Sequence, residues 1–143
     1  MKMKSAISEK QIKRYRSILL DLKDKILGNL SRLEEQALHS GRDITGDLSG
    51  YALHMADAGT DNFDRELALN FAGNEREILY QIDQALARIE QGRFGLCEMF
   101  GTPIPLNRLD AVPWTPYCLE AAERIERERK MKRRLFGDLS PAY

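Results

Sequence analysis

Two long stretches of the chain repeat apolar side chains every three or four residues. From Glu9 to about Leu38 the series is Ile12, Tyr15, Leu19, Leu22, Ile26, Leu30, Leu33 and Ala37. That spacing gathers one apolar stripe on one side of an α-helix, close to a heptad seam. No proline interrupts the stretch and Gly28 is its weak helix former, so the pattern predicts one helix of roughly 29 residues, about 43 Å long. The second series runs Phe63, Leu67, Phe71, Asn74, Ile78, Ile82, Ala85 and Ile89. It predicts a second long helix, with Asp57, Thr60 and Asp61 as candidate N-caps and Gln91-Gly92 as its stop. Asn74 falls in this seam, where it either pins the register or sits partly exposed. Between the stripes, His39-Ser40-Gly41, Thr45-Gly46-Asp47 and Ser49-Gly50 are rich in turn formers. The pattern thus predicts an antiparallel helical hairpin over residues 8–92 with a tip loop at about 39–59.

The character changes after Gly92. Pro103, Pro105, Pro113 and Pro116 argue against a helix, so residues 93–121 are expected to form a small irregular knob with short extended pieces. A helical pattern returns over 117–136, with Leu119, Ala122, Ile125 and Met131 as its packing candidates. Gly137 to Tyr143 is expected to fray. The fold class is therefore all-α: a long coiled-coil hairpin, an irregular knob and a C-terminal helix.

Composition narrows the function. The 143 residues give room for one domain, and 43% hydrophobic with 31% charged residues suits long solvated helices. Lys+Arg and Asp+Glu are 22 each, so a uniformly basic nucleic-acid coat is excluded and no sequence-specific DNA binding is expected. Charge is uneven, however: residues 41–66 carry a net −4, and Arg129, Lys130, Lys132, Arg133 and Arg134 form one dense basic cluster. Such a cluster suits the C-terminal end of a helix dipole, and it can also contact an acidic protein surface or, weakly, DNA. No apolar run approaches a membrane span, and the N-terminal segment has no apolar core of a secretory signal. Two cysteines do not build a multi-bridge scaffold, so a reducing, cytoplasmic setting is expected.

Candidate chemistry centres on those cysteines, Cys97 and Cys118. A four-cysteine zinc knob reads C-x2-C, a spacer, then C-x2-C. Here the partner positions hold Phe100 and Ala121, which cannot bind metal. Two thiolates do not complete tetrahedral zinc. The expected knob is metal-free, with Phe100 filling the space by apolar burial; Cys97 and Cys118 remain the weak metal candidates. Trp114, between prolines, is read as a packed anchor. No nucleophile–base set and no Gly-rich phosphate loop is present, so an enzyme is not expected.

The stretch Ile89-Glu90-Gln91-Gly92-Arg93-Phe94-Gly95-Leu96-Cys97-Glu98 resembles the lead-in to the zinc finger of the DksA/TraR family. So do Gly101-Thr102-Pro103-Ile104-Pro105, Asn107-Arg108-Leu109-Asp110-Ala111-Val112-Pro113 and Tyr117-Cys118. Upstream, His54-Met55-Ala56-Asp57-Ala58-Gly59-Thr60-Asp61 is similar to the family's coiled-coil tip. The resemblance covers about residues 10–130 and implies a transcription regulator that binds RNA polymerase. Family members insert the coiled coil into the polymerase secondary channel, so that the tip alters initiation near the catalytic centre. The family's tip reads acid, two residues, acid, one residue, alanine. Counting back from the knob puts the second acid on Asp57, the alanine on Gly59 and the first acid on His54; Asp61 is a nearby carboxylate.

The best-studied members also bind the alarmone ppGpp through basic side chains. Their positions fall on Gln81, Val112 and Ala122, none of them basic, so no ppGpp synergy is implied here. Two other classes stay open from the residues themselves: a redox-responsive protein with a reversible Cys97–Cys118 bridge, and a coiled-coil scaffold pairing between chains.

Overall fold

In the computed structural model of the protein, residues 7–42 and 51–137 are described, with side chains for 7–38 and 59–137. The expected fraying after Gly137 and the centre of the tip loop, 43–50, lie outside the described residues. Four helices form: α1 (Glu9–Arg42), α2 (Tyr51–Glu90), α3 (Leu106–Ala111) and α4 (Leu119–Phe136). A single isolated antiparallel bridge, Leu96 with Pro103, is the extended pairing among the described residues.

The ends of α1 and α2 have local causes. Ser8 and Gln11 make a capping box: the Gln11 N–H donates to Ser8 Oγ at 3.3 Å and the Ser8 N–H donates to Gln11 Oε1 at 3.1 Å. At the other end of the hairpin sequence, Gly92 takes φ 71°. Its N–H reaches the Ile89 carbonyl at 3.1 Å, and the Arg93 N–H reaches that of Arg88 at 2.9 Å. These paired bonds close α2 as the Gln91-Gly92 signal predicts. Both helices extend further into the tip than their apolar stripes suggested. Because α2 starts at Tyr51, Asp57, Thr60 and Asp61 are interior helix residues and not N-caps.

The chain divides into two compact units, one of Leu22–Leu79 and one that combines the residues up to Asp21 with those from Tyr80 onward. Within the first, α1 buries Ile26, Leu30 and Ala37, as its stripe predicts. On α2 the buried residues are Ala68 and Ala72, while Phe63, Leu67 and Phe71 are 64%, 41% and 51% exposed. The seam is therefore one residue out of phase with the sequence reading over this half. A small side chain in a close-packed seam lets two helices approach, which leaves the larger Leu67 and Phe71 outside it. Asn74 is exposed, so it is no register pin. An ion pair between Arg76 and Glu34, at 2.8 Å, joins the two helices here.

The second unit holds the larger core. Tyr15, Leu19, Ile82, Ala85, Phe94, Ile104, Leu109 and Ala121 are buried there. Each large apolar side chain so placed contributes roughly 1.5–3 kcal/mol. Arg16 pairs with Glu90 at 3.1 Å. The knob does contain a helix, contrary to the proline argument, because α3 fits between Pro105 and Pro113, with Pro105 immediately before its first turn. Cys118 is the N-cap of α4. Of the residues expected to pack from α4, Ala122 and Ile125 are half-buried, but Leu119 and Met131 are 58% and 63% exposed.

Candidate functional site

The knob is organised by backbone bonds that fold two distant segments onto each other. The Cys97 N–H donates to the Thr102 carbonyl at 2.7 Å, the Gly101 N–H to that of Cys97 at 2.7 Å, and the Glu98 N–H to that of Pro116 at 2.9 Å. Gly101 takes φ 69°, which lets the Cys97–Gly101 turn close tightly. On the opposite segment, the Tyr117 carbonyl accepts Arg108 Nε at 2.8 Å and Thr115 Oγ1 at 3.1 Å. Residues 97–98 are thereby held beside 116–118, and Cys97 and Cys118 meet.

Both cysteines are free and buried. Burial by itself raises the Cys97 thiol, but backbone N–H groups of Cys118, Phe100 and Met99 donate to its sulfur, as does the Cys118 thiol. The net effect is a Cys97 pKa below the ordinary thiol value. Phe100 is 39% exposed and lies at the rim, so it does not fill a metal-sized space as expected; Ala121, fully buried, lies in the core. Phe94, Ile104 and Leu109 supply the apolar packing instead.

Sequence reasoning missed Arg88, which falls in the α2 seam and is only 5% exposed. Its Nη2 donates to the Trp114 carbonyl at 3.2 Å, and its Nη1 lies 3.6 Å from Glu98 Oε1. Burial lowers its pKa, and Glu98 opposes that shift. The signal was available: Arg88 is three residues from Ala85 in the same stripe. Trp114 itself is half-buried, as an anchor should be. A second missed link is Tyr15, whose hydroxyl donates to Asp110 at 2.7 Å and whose ring centroid lies 5.6 Å from that of Phe94.

The other named positions are not gathered into one site. His54 and Asp57 lie in the early turns of α2, and their side chains are outside the described residues. Gly59 is exposed, with open space where a Cβ would stand, and Asp61 is half-buried. Gln81 lines a small cleft of about 210 Å³ with Tyr80, Gln84, Arg88, Glu98 and Tyr117; Val112 and Ala122 do not line it. Arg129, Lys130, Lys132, Arg133 and Arg134 are all exposed along the second half of α4.

Residues 92–127, the segment just built, match the prokaryotic dksA/traR C4-type zinc finger. The RNA polymerase-binding transcription factor DksA of Caulobacter vibrioides is 35% identical over 89% of this chain and 84% of its own length. The chain belongs to the DksA/TraR family. General stress protein 16O of Bacillus subtilis is 33% identical over 85% of this chain and 72% of its own. Among solved structures, transcription factor DksA2 from Pseudomonas aeruginosa superposes with a TM-score of 0.70 at 27% identity, covering 86% of this chain and 88% of that one. The finger of this DksA/TraR member does not fit four-coordinate zinc. Phe100 and Ala121 stand where two further ligands belong, and no group of three or more His, Cys, Asp or Glu among the described residues could hold an ion.

Proposed function

We propose that this chain is a non-enzymatic, cytoplasmic transcription regulator that binds RNA polymerase and places the tip of its α1–α2 hairpin in the secondary channel. The observation that carries this reading is the likeness, over 89% of the chain, to a relative named as an RNA polymerase-binding transcription factor. In this reading Asp57 is the effector. It matches the family's second tip acid, and a short carboxylate delivered near a Mg²⁺-bearing centre acts by direct charge interaction. Asp61 adds negative charge one turn further along the same helix, while His54 and Gly59 depart from the family pattern. The hairpin, the knob and the basic cluster from Arg129 to Arg134 supply most of the affinity, because they offer the area and the charge. The knob works without zinc and without ppGpp, since the positions that would serve each lack the required side chains.

The test is transcription in vitro with the purified chain and its cognate polymerase, comparing Asp57→Asn with the parent. The substitution keeps the size and removes the charge within a helix, so stability should change by no more than about 0.5 kcal/mol. We expect Asp57→Asn to compete for the channel as the parent does while losing its influence on initiation. An effect no larger than that of Glu34→Gln would overturn the role of the tip. Loss of polymerase binding altogether would make Asp57 an anchor and reverse the division of labour.

A further inference from the structure

We propose that Cys97 and Cys118 form a two-coordinate site for a soft monovalent cation, Cu(I), at the place where the finger would otherwise hold zinc. The inference rests on the zinc-free reading of the knob, and it starts from the mismatch between the family's four-cysteine pattern and this donor set. Zinc in a structural site takes four ligands in a tetrahedron. With Phe100 and Ala121 at the other two positions, zinc could complete its shell only with water. The structure opposes that route. Cys97 is 2% exposed and Cys118 9%, and Ala121 beside them is fully buried. Burial of both cysteines works against the water that zinc would need to complete its shell.

A cation that is satisfied by two thiolates meets neither obstacle. Thiolate sulfur suits Cu(I), zinc and iron–sulfur clusters, and of these Cu(I) is the one that accepts linear coordination by two thiolates alone. The Glu98 N–H bond to the Pro116 carbonyl, at 2.9 Å, holds the two cysteine segments side by side, and the Cys118 thiol hydrogen-bonds to the Cys97 sulfur. Binding is balanced as two thiols plus one Cu(I) giving a bis-thiolate complex of net charge −1 and two protons released to buffer. No oxidant or reductant is consumed.

The fold also provides for that residual charge. The Cys97 sulfur receives backbone N–H groups from Met99, Phe100 and Cys118. Cys118 stands at the N-cap of the 18-residue helix α4, so its place is fixed by the start of that helix. These backbone groups are set by the fold before any metal arrives, and binding replaces the S–H···S bond.

The experiment is an anaerobic titration of the full, reduced chain with Cu(I) against the chromogenic chelator bicinchoninate, with Zn(II) in parallel. We expect one Cu(I) per chain, near-ultraviolet thiolate-to-copper absorbance, and a rise in the Tm of the helical circular dichroism signal. The rise is the sign that the folded state is what binds. Cys97→Ser and Cys118→Ser should each reduce the copper retained from about one per chain to near zero. Should either variant fail to fold, the direction of the Tm shift in the parent chain still decides. Copper left with the chelator, copper retained by Cys97→Ser, or a Tm lowered by Cu(I) would each overturn the site. One Zn(II) per chain, with unfolding on chelation, would overturn the zinc-free knob as well. Failure to take up either metal removes the copper site alone and leaves the proposed polymerase binding standing.

Discussion

The Tyr15 hydroxyl donates to Asp110 while its ring packs on Phe94, so one side chain of α1 is tied to two separate parts of the knob sequence. Burial, and then the hydrogen bond and charge of Asp110, push its pKa from 10.0 up to about 12; Arg14 opposes the shift. A raised pKa keeps the neutral phenol in the folded state. Stability from this group is therefore complete below pH 10 and is lost between pH 10 and 12, where only the unfolded chain ionises. Tyr15→Phe should cost about 1 kcal/mol at pH 7, because Asp110 is exposed and is rehydrated when its donor leaves. The parent should lose about 2–3 kcal/mol across the alkaline window and the variant should not, so their order of stability should invert. Urea midpoints from pH 7 to 11.5 check this, and parallel curves would refute the coupling. Arg88 makes a different demand. Its guanidinium is buried against the Trp114 carbonyl, whereas the side chain of Glu98 is 44% exposed and can stay hydrated. Arg88→Met should destabilise by about 2–3 kcal/mol through the lost carbonyl bond, less than for a pair buried on both sides. A midpoint shift under 0.5 kcal/mol would show that the carbonyl finds another donor.

At the scale of elements, α1 and α2 differ in how plainly they are written. Every residue of the α1 stripe is buried or half-buried, and the apolar neighbours Leu20, Leu27 and Leu38 are too few to form a continuous second stripe. Along α2, Leu67 and Phe71 stand beside Ala68 and Ala72, and both phases satisfy a three-or-four spacing. Only the neighbouring helix decides between them. The consequence is measurable. Phe71→Gln should change stability by less than about 0.5 kcal/mol, whereas Ala72→Gln, which forces a long side chain into the seam, should cost about 1–3 kcal/mol. Thermal unfolding of the two variants tests the phase, and the reverse order would restore the sequence-based seam.

At the scale of the molecule, α1 and α2 meet within one chain. In one unit Arg16 faces Glu90, and in the other Glu34 faces Arg76, so α1 numbers rise as α2 numbers fall. That antiparallel order is what a hairpin within one chain requires. Cysteines placed at Glu34 and Arg76, both exposed, should be joined by a short bismaleimide into a monomeric product, while buried Cys97 and Cys118 stay protected. Exclusively dimeric products on a denaturing gel would favour pairing between chains.

The helical class, the α1 seam, the stop at Gly92 and the lack of four zinc ligands could all be read from the residues. Each depends on local spacing or on the chemistry of a side chain taken by itself. The phase of α2 at Ala68 and Ala72, the short helix held between Pro105 and Pro113, and the rim position of Phe100 could not. These follow from which volumes are already occupied when distant segments meet. The same is true of Arg88 and Tyr15, polar tips whose partners Trp114, Glu98 and Asp110 lie far along the chain. The meeting of Cys97 with Cys118 also required the backbone bonds between residues 97–98 and their partners at 102 and 116. Spacing fixes what one helix can present to its surroundings; only packing fixes what each side chain meets there.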